Sequence, residues 1–440
     1  MGRNQTYLRY APTLLIEWEQ LKDEGRAVDS FRKDCEALVN RAREHWTLAL
    51  DEEAVKLAAA MQAEVPVRDH PFVEPSSLDE IRAARPAQRK AYAKAAPDLG
   101  KLRAAWAGRI AGCLLGKPVE GLRRKTLYPI LREAGNYPMT RYIRRSDYDP
   151  ARYEALSFNP DRCWADTLDG WAPVDDDTNY TTVALKLLET CGRDFTPADV
   201  VDVWTDTLPM NATCTAERVA YRNMALCLEP PMTATYRNPY REWIGAQIRA
   251  DLFGYVNPGD PETAAEYAWR DACISHVKNG IYGEMWVAAM LAAAAVTDDA
   301  DEILDAGLSQ IPEKSRLYRD VGLVRGLYRE GVPAEEIIER IHQAYDEHTQ
   351  HGWCHTNSNA MIVTMALLCG GWNFGRSVCL AVQAAFDTDC NGATVGSIVG
   401  MRNGSVPEEW TAPFAKGLRT SLVGFGEMTL DELAQRTANI

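Results

Sequence analysis

Apolar positions along this chain recur every three to four residues far more often than every two. Leu14, Trp18 and Leu21 share one helical face, as do Ala54, Leu57, Ala58 and Met61. Four longer, largely apolar stretches predict buried helices: Ala104 to Leu115, Tyr180 to Cys191, Ile281 to Val296 and Ala360 to Cys369. In the second of these, Val183, Ala184, Leu187, Leu188 and Cys191 form the inward stripe and Gly192 supplies the stop. Helical pairs fill 300–347. No segment alternates for long enough to make a sheet strand, and no short-period repeat of solenoid type occurs. The predicted fold class is therefore all-α, with chemistry left to loops and helix starts.

Punctuation divides the chain. Pro66, Pro71, Pro75 and Pro86 break up a charged, Ala-rich beginning, which is expected to form an N-terminal helical extension over residues 1–100. The main domain, 101–440, opens with the Ala104 to Leu115 helix. That helix should end at Gly116-Lys117-Pro118-Val119-Glu120-Gly121, placing Glu120 on a tight loop, because proline cannot continue a helix. Residues 122–173 are rich in loops and aromatic side chains, including Tyr128, Tyr137, Tyr142, Tyr148, Tyr153, Phe158, Trp164 and Trp171. Long stretches of this kind usually wall a pocket or cover a core.

Composition narrows the function classes. A net charge of -14 argues against nucleic-acid binding, which recruits basic surfaces. The longest unbroken apolar run, Met285 to Val296, is too short to span a bilayer, so no membrane partner is expected. The 11 cysteines form no C-x-x-C pair, and several lie inside apolar helices. That usage, with no signal-like N-terminal segment, predicts a reducing, cytoplasmic setting.

Two acidic clusters stand out at predicted helix starts, Asp175-Asp176-Asp177 and Asp387-Thr388-Asp389. One Asp suffices to cap a helix, and adjacent carboxylates repel. Concentrated oxygen ligands instead suit a hard divalent cation, so Asp175, Asp176, Asp177, Asp387 and Asp389 are candidate metal ligands. Gly392, Gly396 and Gly400, at steps of four, predict that the second helix approaches a neighbour closely. Thr297-Asp298-Asp299 is a decoy, since capping of an acidic surface helix explains it. His348, His351 and His355 lack structural-zinc spacing and are not expected to bind zinc. The segment 238–249 is dense in polar groups, and its Arg241 and Arg249 are candidates to meet a substrate phosphate.

Four blocks together resemble the ADP-ribosylglycohydrolase family over roughly residues 102–425: GCLLGKPVEG at 112–121, DDDTNYTTVALKLLE at 175–189, SHVKNGIYGEMWVAAM at 275–290 and FDTDCNGATVGSIVG at 386–400. The resemblance implies an orthogonal multi-helix domain and a binuclear Mg²⁺ or Mn²⁺ site. Asp176 and Asp177 would supply the first ligand pair, and Asp387 and Asp389 the second. It further implies that Glu120 is an acid at the metals and that His276 lines the cleft for ADP-ribose. Asn279 and Gly280 of the same block, with His355 and Asn391 at polar helix starts, are the remaining expected substrate contacts. Three departures stand against the family pattern. Asp175 occupies a Thr position, Cys390 replaces a Thr ligand, and the segment beside Glu120 is shortened. Since a thiol suits Mg²⁺ poorly, one ion or two remain open.

The expected activity is hydrolysis of a ribosyl N- or O-glycosidic bond in an ADP-ribosyl conjugate, with Glu120 or Asp389 taking the water's proton. A small conjugate or an ADP-ribosylated protein would be the partner. A free nucleoside or other small ribosyl conjugate is the first alternative, and a non-catalytic metal-binding protein the second.

Overall fold

A computed structural model describes residues 6–66, 70–149 and 164–440. Among them are 22 α-helices and three strands of two or three residues. Tyr153 and Phe158 of the aromatic stretch lie outside the described residues. No described helix is long and apolar enough to cross a membrane.

Two antiparallel helices, Leu99–Gly116 and Thr388–Asn403, form the spine. Glycines make their contact possible on both sides. A Cβ at Gly108 would collide with the Gly396 carbonyl, one at Gly112 with the Gly392 carbonyl, and one at Gly116 with the Thr388 carbonyl. A Cβ at Gly400 would meet the Ala104 carbonyl. Backbone thus packs directly on backbone for the length of the crossing, which larger residues would forbid. The expected glycine face at 392, 396 and 400 finds its counterpart in the first helix, and the two helix ends that carry Glu120 and Asp389 become neighbours.

Around the spine lie the other buried helices. Lys278–Ala294 exposes almost nothing, and Asp251–Tyr255, Pro261–Ala272 and Thr356–Cys369 surround it. The Asp176–Cys191 helix ends at Gly192, which has φ +72°. Of its predicted stripe, Val183, Ala184, Leu187 and Leu188 are buried and Cys191 is half-buried. Asp299 caps Ala300–Leu308 by accepting from the Glu302 N–H at 2.9 Å, so the decoy cluster is a cap. The strands Trp171–Ala172, Gly417–Arg419 and Glu427–Met428 make one small sheet, parallel then antiparallel.

The N-terminal region departs from the all-helical expectation. Leu14–Asp23, Arg32–Glu44 and Leu48–Ala63 form a lobe with a hydrophobic cluster of its own between Tyr10 and Met61. Arg32–Glu44 contributes Cys35, Leu38, Val39 and Ala42 to it, at helical spacing. Residues 70–98, by contrast, hold only the short helix Leu78–Ala84 and run as a strap along the main body. The prolines explain this, since each removes a helix hydrogen bond. The body satisfies the strap's polar groups instead. Val73 N–H donates to the Lys314 carbonyl at 2.9 Å, Trp269 Nε1 donates to the Ser76 carbonyl at 2.9 Å, and Ala95 N–H donates to the Pro258 carbonyl at 3.1 Å.

Candidate metal centre

The two acidic clusters meet at one end of the spine. Asp175 caps the Asp176–Cys191 helix by accepting from the Asp177 N–H at 2.9 Å, and its other oxygen pairs with the Lys117 ammonium. Asp177 is held by Arg109, a fully buried arginine in the apolar spine helix. The guanidinium donates to the Asp177 carbonyl at 2.8 and 3.0 Å and to Asp177 Oδ1 at 3.2 Å, and it also binds Asp251 at 2.6 Å. Asp387 follows two residues in left-handed backbone, Ala385 (φ +64°) and Phe386 (φ +59°). Such backbone is costly for residues with side chains and tends to persist at functional sites. Asn359 Oδ1 receives the Asp387 N–H at 3.2 Å and the Asn391 amide at 2.8 Å, and the Thr388 hydroxyl donates to the Gly116 carbonyl at 2.9 Å.

Three sets of ligand atoms result, each within 4.8 Å of one another: Cys113, Asp175 and Asp177; Asp177, Asp389 and Cys390; Glu120, Asp387 and Asp389. Asp177 and Asp389 belong to two sets each, so the three merge into one centre. Glu120 closes it from the loop after the short 3-10 turn Lys117–Val119, before Gly121 at φ +79°. Asp176 adjoins through Asp175.

The electrostatics of this centre are unfavourable for the protein alone. Asp177 is 0% exposed and Asp389 3%, so water cannot screen them. Burial, then repulsion from neighbouring carboxylates, pushes Glu120, Asp176 and Asp387 well above the usual carboxylate range. Burial raises Asp177 as well, although Arg109 opposes it, and Asp389 is raised by burial and by Asp175. Asp175 differs: burial would raise it, but the Lys117 ammonium holds it below the usual range. Asp177 Oδ2 and Asp389 Oδ1 are buried and have no hydrogen-bond partner among the described residues. Orphaned hard oxygens at the meeting point of several carboxylates suit a divalent cation of the Mg²⁺ or Mn²⁺ class. Cys113 and Cys390 are the soft exceptions; burial and the nearby carboxylates keep both thiols protonated.

A sequence profile described as ADP-ribosylglycohydrolase matches residues 95–439. The chain belongs to the ADP-ribosylglycohydrolase family. Among solved structures, a chain titled "ADP-ribosylglycohydrolase-related protein complex" is similar, with 19% identity and a TM-score of 0.44 over 77% of this chain and 96% of that one. No match is found among curated proteins.

The other expected site residues divide. Asn391 stands beside the centre, its Oδ1 buried without a partner. His276 does not join the carboxylates. Its Nδ1 pairs with Ser275 Oγ at 2.8 Å, its Nε2 lies 4.0 Å from Glu217, and burial lowers its pKa well below the usual value. Asn279 is structural: its amide donates to Glu242 at 2.7 Å and its Oδ1 accepts from the Leu317 N–H. A Cβ at Gly280 would press on the Arg241 carbonyl, so that glycine serves close packing.

Arg241 and Arg249 require correction as phosphate ligands, because carboxylates within the chain already occupy them. Arg241 binds Glu17 at 2.9 Å and Glu24 at 2.9 Å, both from the N-terminal lobe. Arg249 pairs with Asp271 and with Glu217 at 2.7 Å, and it is 1% exposed. His355 is corrected likewise. Its Nδ1 accepts from the Asn357 N–H at 3.0 Å and its Nε2 lies 3.9 Å from Asp23.

His351, His355 and Asp23 do cluster, and hydrogen bonds orient both imidazole rings. Indole and backbone N–H groups only donate, so Trp243 Nε1 at 3.1 Å and Asn357 N fix both Nδ1 atoms as acceptors. His351 Nε2 then donates to Asp23 Oδ2 at 3.0 Å, whereas His355 Nε2 lies 3.9 Å from it, beyond hydrogen-bond distance.

Sequence reasoning missed Arg109, Lys117, Cys354 and Asn359. A lone arginine within an apolar, glycine-containing helix was the available signal for Arg109. Cys354 Sγ, 3.8 Å from Asp387 Oδ2, had none.

Proposed function

We propose that this chain is a Mg²⁺- or Mn²⁺-dependent hydrolase that cleaves the ribosyl N- or O-glycosidic bond of an ADP-ribosyl conjugate. The observation that carries this reading is the convergence of Glu120, Asp177, Asp387 and Asp389 with buried oxygens that no described residue satisfies. Bound cations would polarise the ribose hydroxyls and lower the pKa of a water. The chain's own residues then have distinct tasks. Asp175 and Asp177, locked by Lys117 and Arg109, are too well held to move a proton between substrate and solvent. Glu120 is half-buried where the aspartates facing it are buried, so it is the acid best placed to meet a water. Its carboxylate takes a proton as the water oxygen bonds to the anomeric carbon. The glycosidic electron pair departs with the aglycone, and the proton follows to the leaving atom. Asp389, shared between two ligand sets, is the alternative base.

One observation favours the narrower reading of a free nucleoside or other small ribosyl conjugate. Tyr7 of the N-terminal lobe packs edge-on against Tyr240 at 5.9 Å, and its hydroxyl is buried in the field of Cys214, Cys354 and Glu120. An aromatic side chain brought there by a separate lobe narrows the approach for a protein substrate.

Anomeric proton NMR tests both readings, with ADP-ribosyl-arginine, ADP-ribosyl-serine, O-acetyl-ADP-ribose and nucleosides incubated in Mg²⁺, Mn²⁺ or EDTA. Chelator-sensitive loss of an ADP-ribosyl conjugate is the expected result, and loss of a nucleoside alone selects the narrower reading. Turnover that persists in EDTA rules out the metal-dependent mechanism, and no turnover of any compound rules out the activity.

A further inference from the structure

A cavity of about 670 Å³ lies between the N-terminal lobe and the main body, away from the carboxylate centre. Tyr10 and Arg26 line it from the lobe, and Tyr236, Arg237, Arg241 and Lys278 from the body. Its volume falls in the range of small-molecule sites. Its charge is unusual for a chain of net -14. Arg241 and Glu24 neutralise each other there. Arg237 has no such partner: no carboxylate among the described residues lies within ion-pair distance, and its Nε is buried without a hydrogen bond. Its guanidinium lies over the Tyr236 ring at 5.0 Å. Arg222 approaches the same ring at 5.9 Å and spends its own donors on Asn223 and on the Tyr236 and Arg237 carbonyls, again with no carboxylate. Two like charges therefore adjoin one aromatic ring. Lys278 adds a third cation, whose nearest acid, Glu24, stands at 3.5 Å and is already bound by Arg241.

The backbone points the same way. Arg237 (φ +50°) and Lys278 (φ +47°) both sit in the left-handed region, which residues with side chains seldom adopt. Strain of this kind persists where the surroundings require a particular side-chain direction.

We propose that this cavity binds a small organic phosphate, with Arg237 and Lys278 receiving the phosphate and the Tyr10 and Met232 side of the cavity covering the apolar remainder. A planar guanidinium matches a phosphate's paired oxygens, and a phosphate dianion would offset the repulsion between Arg237 and Arg222. Because the walls come from two parts of the chain, the ligand would also tie the N-terminal lobe to the body.

Calorimetric titration and thermal melting of the full chain in EDTA test this, with AMP, inorganic phosphate and adenosine as probes. Asparagine tolerates left-handed backbone, so Arg237→Asn and Lys278→Asn remove the charges without adding strain. The expected result is that AMP binds and raises the melting temperature, phosphate binds more weakly, and adenosine binds at least about tenfold more weakly than AMP. Arg237→Asn should weaken AMP by about tenfold or more and Lys278→Asn by less, whereas Asp389→Asn should leave it unchanged. The proposal is overturned if AMP and phosphate give neither heat nor shift at about 10 mM, well above a millimolar dissociation constant. It is equally overturned if Arg237→Asn has no effect, or if Asp389→Asn abolishes AMP binding, which would place the ligand at the carboxylate centre.

Discussion

Two regions of this molecule bury carboxylates, and they do so under opposite electrostatic terms. In the seam between the N-terminal lobe and the body, Glu242 accepts from Arg316 at 2.7 Å and from Asn279 and Gln20, while Glu24 binds Arg241. Burial alone would raise these acids, yet Arg316 and Arg241 bring Glu242 and Glu24 below the usual range. Asp23, hydrogen-bonded to His351, is brought down to about 2. At the end of the glycine spine, burial and mutual repulsion win instead, and Glu120, Asp176, Asp177 and Asp387 rise. Seam acids have their counter-charge within the chain and act as fasteners. Those of the centre, apart from Asp175 with Lys117 and Asp177 with Arg109, must find theirs elsewhere, which is what a cation site requires.

The strongest way to break this contrast is Asp389→Asn. Turnover should fall by about a thousandfold, while metal-free stability stays level or improves because a repulsive charge is gone. Differential scanning fluorimetry should show Mn²⁺ or Mg²⁺ stabilising the wild type and not the variant. A loss of metal-free stability would mean that Asp389 is a fastener after all.

Arg316→Met inverts the test in the seam. It leaves Glu242 buried and unpaired, and should cost about 3–5 kcal/mol in urea unfolding. Metal-induced stabilisation of whatever remains folded should be unaffected.

Acid sharpens the contrast further. Burial lowers His355 to about 3 and His342 to about 4, whereas both titrate near 6.5 when unfolded. The unfolded chain therefore binds more protons below pH 6.5, and stability present above that pH is lost on acidification. For His355 alone the loss should reach about 2–3 kcal/mol at pH 4.5. Urea melts at pH 7 and 4.5 should register it, and His355→Asn, which keeps a helix-capping side chain, should flatten the slope.

The smallest effect is expected from Cys390→Thr. Replacing a thiol near Asp177 and Asp389 with a hydroxyl should raise Mg²⁺-supported turnover relative to Mn²⁺ by about two- to fivefold. An unchanged metal ratio would show that residue 390 does not face the ions.

Much of this was legible in the residues. Three-to-four periodicity gave the all-α class, and the glycines at 392, 396 and 400 announced a close crossing. Two acidic helix starts too rich for capping announced a centre. The polar residues were harder. Arg241, Arg249 and Asn279 read as ligand-binding groups because a sequence shows a charge without its partner. Glu17 lies more than two hundred residues from Arg241, and no local spacing links them.

The sequence by itself determined the helices, their buried faces and which oxygen-rich segments stand at helix starts, because those follow from local sterics and from periodicity along one chain. Tertiary structure alone decided which charges are answered. It set Arg109 against Asp177, Lys117 against Asp175, and Arg316 against Glu242, and it left Asp177 Oδ2 and Asp389 Oδ1 with no partner among the described residues. Charge pairing depends on distances across the fold and on exclusion of water, and neither is a property of neighbours in sequence.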